Sequence, residues 1–328
     1  MRVARAVTCG EGAQSPRLSE TFIRGNVPRP RPADLGAARL REVLGRSRSP
    51  VVIVEQSPAR IAAELFYVTA VPALVREVAG ILAPLGIEIM PLKGALLQRL
   101  VYGTRSFRAV SDVDVLVPPD RFDEARSALR GAGFTVEREE QGGWEVALRR
   151  PEGLLELDLH QRLSSTSRSA LNPEDLFRRG TRNTSLFGAP VVILDGRDLY
   201  AHLLLHMTLT WLAARRLHHV EDLEAVPAAL GLSPATLAEH LGAVGLRVHA
   251  GLMLPFVSGE SGSEFTRQLR EALRPTRRER FLVELIRRSC ARSGSGAVVR
   301  RLSGFVLAPS WSKAAREAIA KRVAPGRD

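Results

Sequence analysis

The run Arg108–Val117, RAVSDVDVLV, sets Asp112 and Asp114 two apart among valines. Such alternation is the pattern of a β-strand, in which residues two apart leave the same face of the sheet. The chain is therefore expected to build a sheet in which one strand carries two neighbouring carboxylates on one face. Inside a fold that pair is costly unless a cation offsets it, and a divalent ion with oxygen ligands, such as magnesium, is the usual partner. Taken alone, Asp-x-Asp fits a half-exposed strand with two solvated carboxylates equally well. The flanking segments favour the metal reading.

Upstream, GIEIMPLKGALLQRLVYG (86–103) reads as a strand ending at Leu92, a Lys93–Gly94 turn, and a helix whose apolar positions include Leu96, Leu97 and Leu100. Strand, glycine and helix form a phosphate-binding geometry: the glycine admits an oxygen close to the backbone, and the first helical N–H groups and the helix dipole favour its charge. Of 47 basic residues only Lys93, Lys313 and Lys321 are lysines, so a compact ammonium beside this glycine is a departure from the chain's arginine habit. Downstream, GLLELDLHQRL (153–163) alternates, with Leu155, Leu157 and Leu159 on one face and Glu156, Asp158 and His160 on the other. Asp158 is the candidate third carboxylate, with Glu156 as the fallback on the same face. Three carboxylates on adjacent strands can hold two divalent ions that grip a nucleotide's phosphates and assist in-line attack at phosphorus. The competing reading of this segment is an edge strand with a polar outer face.

Leu92-Lys93-Gly94, Tyr102, Arg108, Ser111-Asp112-Val113-Asp114 with Leu116-Val117, and Leu157-Asp158-Leu159-His160 together resemble the uncharacterised bacterial nucleotidyltransferase family of the polymerase-β-like superfamily. The resemblance spans about residues 60–225. It implies an α+β fold, a small mixed β-sheet nucleotidyltransferase core flanked by helices and followed by a mainly helical C-terminal domain. It also implies that Asp112, Asp114 and Asp158 are the catalytic metal ligands for Mg2+ or Mn2+. Lys93, Gly94, Arg108 and Ser111 would bind the nucleotide, ATP or another NTP. Many superfamily members carry a serine directly after the glycine, whereas this chain has Ala95, which makes Lys93 the natural substitute. Replacing Lys93 with Ala is accordingly expected to weaken NTP binding with little change in melting temperature.

The domains expected are a disordered leader (1–35), the core with N-terminal helices (36–165), and a helical substrate or acceptor domain (166–328). Helices are expected over 59–85 and 119–133, a hairpin from FTVEREE and WEVALRR joined at Gln141–Gly143, and a short strand pair within LFGAPVVIL (186–194). Cys9 and Cys290 stand far apart and outside any C-x-x-C pair, which fits a reducing cytoplasm. No continuous run reaches the roughly eighteen apolar residues of a spanning helix; the nearest, 199–214, is interrupted by His202 and His206 and reads as a buried helix. Those histidines have the spacing of a zinc pair, but Leu203 stands where a metalloprotease has its Glu, so a core role is expected. His206 and Asp222 resemble the family's helical region and are read as packing, or with His160 as a wall of the substrate cleft. GESGS (259–263) and SGSG (293–296) do not match a serine-hydrolase elbow and read as loops.

The formal net charge is +12, and residues 267–301 hold eleven arginines against Glu271, Glu279 and Glu284, so the imbalance is concentrated there. Such a stretch suits RNA backbone or an anionic surface, or is a solvated helix face. Aromatic residues are 5% of the chain, too few for a base-stacking platform. Two functional readings follow: a metal-dependent nucleotidyltransferase acting on an acceptor hydroxyl or phosphate, or a non-catalytic relative that binds a nucleotide or a partner. The acceptor, whether RNA such as tRNA, a modified peptide natural product or a sugar, is not selected by the sequence.

Overall fold

The computed structural model describes residues 58–103, 108, 110, 112–140, 143–164, 170–214, 220–258 and 263–292, all within the unit Ser57–Asp328. The expected leader, Ser111, His218, His219, most of GESGS, all of SGSG and the end of the Arg-rich stretch lie outside the described residues.

Helix α1 (Pro58–Leu82) precedes strand β1 (Met90–Pro91), and α2 (Lys93–Leu97) follows at once, continuing as a π turn over Gln98–Tyr102. Then come β2 (Asp112–Leu116), α3 (Phe122–Gly131), β3 (Thr135–Glu139), β4 (Glu145–Arg149) and β5 (Glu156–His160). The five strands form one sheet in the order β1-β2-β5-β4-β3. Strand β2 runs parallel to β5 and every other pairing is antiparallel, so the sheet is mixed, as expected. The α3–β3–β4 segment is the crossover that parallel strands require. Asp158 therefore sits on a strand flanked on both sides, and β5 is no edge strand. Val113, Val115, Leu157, Leu159, Val146 and Leu148 are buried on the apolar face of the sheet.

Beyond the sheet come α4 (Pro173–Arg179), a hairpin of β6 (Thr181–Asn183) and β7 (Val191–Ile193), and helices α5 (Gly196–Ala214), α6 (Val220–Leu230), α7 (Pro234–Ala243), α8 (Arg247–Ser258), α9 (Glu264–Leu273) and α10 (Arg277–Arg292). The strand pair expected within 186–194 is corrected: Val191–Ile193 pairs backward with Thr181–Asn183. Leu186 lies in the turn between them, because Asn183 Oδ1 accepts from its N–H at 2.8 Å and Gly188 takes a left-handed φ of 70°. The hairpin joins the main sheet's edge through Val192 N donating to Ile89 O at 2.8 Å.

Among the described residues one helix does meet the length and composition of a membrane span, the window Val68–Leu85 with mean hydropathy 1.5, rather than 199–214. Arg76 and Glu77 break the run but barely lower its average. Val71, Val75, Val78 and Leu82, spaced three and four apart, are buried in the core. The 199–214 segment is a helix whose Leu199, Tyr200, Leu203, Leu204 and Met207 are buried, as expected.

Candidate active site

Strand register assembles the site. Asp114 lies opposite Asp158 across the parallel β2–β5 pair, and Asp112 opposite Glu156. On the far side of β5, Asp158 faces Ala147 and His160 faces Glu145. Residues directly opposite share a face, so Asp112, Asp114, Glu156, Asp158, His160 and Glu145 all leave one side of the sheet. Ala147, the small residue in the row, leaves room above itself. A register shift between Val136 and Arg138 puts Arg138 opposite Ala147, so this arginine enters the same row from β3.

One carboxylate oxygen of Asp114 is the centre of the cluster. Lys93 Nζ donates to its Oδ1 at 2.5 Å and His160 Nε2 lies 3.0 Å from the same atom. Ligand atoms of Asp114, Asp158 and His160 lie within 4.8 Å of one another, and all three residues are buried. Burial alone would raise Asp114, but the Lys93 ammonium and the His160 imidazole hold its carboxyl far below the usual carboxylate range. Asp158 goes the other way: burial, then the charge of Asp114, push it up to about 6. Its Oδ1 is buried and accepts no hydrogen bond, the nearest cation being Arg138 Nη2 at 3.6 Å, beyond hydrogen-bond reach. Half-buried Asp112 stands outside the 4.8 Å group, on the same face, and its charge helps raise both Lys93 and Asp158.

Sheet and helices meet at the Lys93–Gly94 turn. Leu92 N donates to Asp114 O at 2.9 Å, which ties the turn to the carboxylate strand. Lys93 adopts a left-handed φ of 42°, a conformation that costs a non-glycine residue and is concentrated at functional sites. Gly94 faces a guanidinium: a Cβ there would stand 2.5 Å from Arg108 Nη1 and 3.3 Å from Val110. Arg108 is gripped by Asp222 of α6, its Nε donating at 3.0 Å and Nη2 at 2.9 Å. Tyr102 donates to Asp222 Oδ1 at 2.6 Å, while Arg108 N donates to Gln98 Oε1 at 2.7 Å. The fork thus sits at the Lys93–Gly94 turn with its backbone and side chain both fixed. His202 of α5 is buried, and burial first, then the Lys93 and His206 charges, hold its pKa well below the ordinary value. It is a neutral core histidine near the cluster. Asp222 is anchored to Arg108 and Tyr102, and His206, half-buried, lies beside His202.

Glu145 and Arg138 were not among the sequence candidates. Glu145 is the second residue of WEVALRR, where alternation sets Glu145, Ala147 and Arg149 on one face, so that signal was available. Nothing local announces the bulge that aims Arg138.

A nucleotidyltransferase is the class that this sheet and its carboxylate face define. The model of the family described as uncharacterised nucleotidyltransferase matches residues 59–254, and the chain belongs to that family. No curated protein matches the sequence. Among solved structures, ANT(2″)-Ia in complex with adenylyl-2″-tobramycin is 13% identical over 52% of this chain and 95% of its own, with a TM-score of 0.37. An antigenic nucleotidyltransferase-like protein from Paracoccidioides brasiliensis is 18% identical over 50% of this chain and 77% of its own, at 0.36. The lincosamide antibiotic adenylyltransferase LnuA, lincomycin-bound, is 13% identical over 51% of this chain and 96% of its own, at 0.31. At that level of likeness, the family match and the geometry carry the assignment.

Proposed function

We propose that the protein is a metal-dependent nucleotidyltransferase that moves a nucleoside monophosphate from an NTP to an acceptor hydroxyl or phosphate, releasing pyrophosphate. The observation that carries this is the buried Oδ1 of Asp158, which accepts no hydrogen bond and faces the carboxylate of Asp114. A fold rarely leaves such an oxygen unsatisfied unless something from outside completes it. Asp112, Asp114 and Asp158 would hold Mg2+ or Mn2+, which supplies the charge that offsets the triphosphate and orients it for in-line attack. Lys93 and the Arg108 fork at Gly94 would bind the phosphates, and Ser111, next to Asp112 in the sequence, is assigned to the same role by the family resemblance. His160, His206 and Asp222 border the cleft on the side of the helical half. Elsewhere in the helical half, among α8, α9 and α10, Arg247, Arg267, Arg270, Arg280 and Arg287, with Glu271 and Glu284, line a cavity of about 630 Å³ over an apolar floor that includes Leu254 and Val283. An arginine-lined cavity is consistent with RNA as acceptor; a peptide or sugar remains the other branch. The cytoplasm is the compartment in which we place the reaction.

One observation favours a non-catalytic relative instead: Lys93 and Arg138 already bring cations to Asp114 and Asp158. The two readings separate in one experiment. With labelled NTPs, Mg2+ or Mn2+ and candidate acceptors, the protein is expected to transfer label, and Asp112→Asn and Asp114→Asn should each abolish transfer. Tight NTP binding without transfer to RNA, peptide or sugar, untouched by the aspartate changes, would establish the non-catalytic reading. For the RNA branch, labelling of tRNA that depends on Asp112 is the decisive result.

A further inference from the structure

His160 has a carboxylate on each side. Its Nε2 lies 3.0 Å from Asp114 Oδ1, and its Nδ1 lies 3.3 Å from Glu145 Oε2. All three side chains are well buried, at 5%, 3% and 12% exposure. Trp144, with ring centroids 6.1 Å apart and planes at 34°, restricts the imidazole from one side. Strand register adds a second constraint, since His160 is opposite Glu145 on one neighbour and Leu116 on the other. The ring's position is thus set by the sheet.

Glu145 stands against Nδ1 without completing a hydrogen bond to it, and Nε2 is the nitrogen turned toward Asp114. Nε2 and Asp114 Oδ1 share a hydrogen bond at 3.0 Å, a contact that a cation held between the two atoms would replace. Asp158 Oδ1, which accepts no hydrogen bond, completes the set on the same side. Carboxylate, imidazole and then a cation is the arrangement by which histidine ligands are oriented and made more basic. Magnesium favours oxygen ligands and keeps its waters, whereas imidazole suits first-row transition cations.

We propose that the cation site is a mixed oxygen and nitrogen site, in which His160 Nε2 is a ligand alongside Asp114 and Asp158, Glu145 positions the imidazole, and the site prefers Mn2+ to Mg2+. This rests on the reading that the cluster takes a metal; it adds a ligand, a positioning residue and a metal preference. Asp112, on the same face but outside the 4.8 Å group, is the further carboxylate that a metal–nucleotide complex would draw on.

The test is Mn2+ binding followed by electron paramagnetic resonance, with and without a non-hydrolysable NTP analogue, on the wild-type chain and on His160→Gln, Glu145→Gln and Asp158→Asn. Pulsed spectra of the wild-type complex should show a directly coordinated 14N that vanishes in His160→Gln. Mn2+ affinity should fall at least about tenfold in His160→Gln, with the preference over Mg2+ reduced. In Glu145→Gln the 14N signal should remain while affinity falls about tenfold, the size expected for a residue acting through a ligand. If His160→Gln does not fold, the wild-type spectrum and Glu145→Gln still decide. Bound Mn2+ without a 14N signal, and with affinity unchanged in His160→Gln, would overturn this proposal and leave the nucleotidyltransferase reading standing. Equal Mn2+ binding by wild type and Asp158→Asn, or none by either, would overturn both.

Discussion

Two buried aspartates on opposite sides of the α4–β6–β7 segment in sequence have opposite surroundings. Asp198, in the first turn of α5, is fully buried and completely answered: Arg179 reaches it through Nε at 2.8 Å and Nη2 at 2.9 Å, and His240 Nε2 lies 2.8 Å from Oδ1. Burial alone would raise its pKa, but His240 and Arg179 hold it below the ordinary value. Asp158 is nearly as buried, its Oδ1 accepts no hydrogen bond, and its pKa is pushed up to about 6 by burial and by Asp114. A carboxylate that the fold satisfies by itself belongs to the architecture. One left unsatisfied beside a second carboxylate is prepared for a cation from outside.

The contrast breaks most visibly if the two sites respond alike to mutation. Asp198→Ala removes a buried carboxylate from half-buried Arg179 and His240 and should cost about 2–4 kcal/mol in urea unfolding. A loss under about 1 kcal/mol would mean that Asp198 is no keystone. Lys93 is intermediate: its ammonium offsets Asp114 from within the fold, so Lys93→Ala should cost about 1–3 kcal/mol without metal. That departs from the expectation of a nearly unchanged melting temperature, because the structure pairs Lys93 with buried Asp114. Saturating Mn2+ should restore much of the loss while NTP affinity stays low, and a deficit that metal leaves unchanged would show that Lys93 is only structural.

Asp158→Asn should act in the opposite direction, raising the stability of the metal-free protein by about 1–3 kcal/mol at pH 7. The sign follows from the raised pKa: between about pH 4 and pH 6 the folded chain keeps a proton that the unfolded chain has lost. Stability from this group therefore declines as pH rises through that window, and the gain in Asp158→Asn should be absent below about pH 4 and full above about pH 6. Melting temperatures of the two proteins across pH 3.5–7.5 provide the check, at roughly one-unit steps. Arg138→Ala should have the smallest effect. Its guanidinium is half-exposed, so stability should change by less than about 0.5 kcal/mol, and Mn2+ binding should tighten only about twofold as a competing charge is removed.

The sheet was legible because alternation is a strong signal: Val113, Val115, Leu157 and Leu159 had to be buried, which sent Asp112, Asp114 and Asp158 to the other face. The Lys93–Gly94 turn was legible as strand, glycine and helix. Partners that depend on long-range pairing were not. Arg108 meets Asp222 across 114 positions, and no local pattern announces that clamp. Three-residue strands such as Thr181–Asn183 are too short to alternate, so the hairpin was placed too late. Glu145 and Arg138 reach the site through register, one by a regular ladder and the other by a bulge. The role of Gly94 was half legible: the need for close approach was clear, but the group against it is the Arg108 guanidinium.

The central claim is that the unsatisfied carboxylate face takes up a metal–nucleotide complex, and calorimetric titration of an NTP tests it most directly. Titrations would use Mg2+, Mn2+ or excess EDTA, for the wild-type chain and for Asp114→Asn. Binding by the wild type should depend on the divalent ion, and Asp114→Asn should lose that metal-dependent part while remaining folded. Equal affinity in EDTA and in metal, unchanged by Asp114→Asn, would contradict the account.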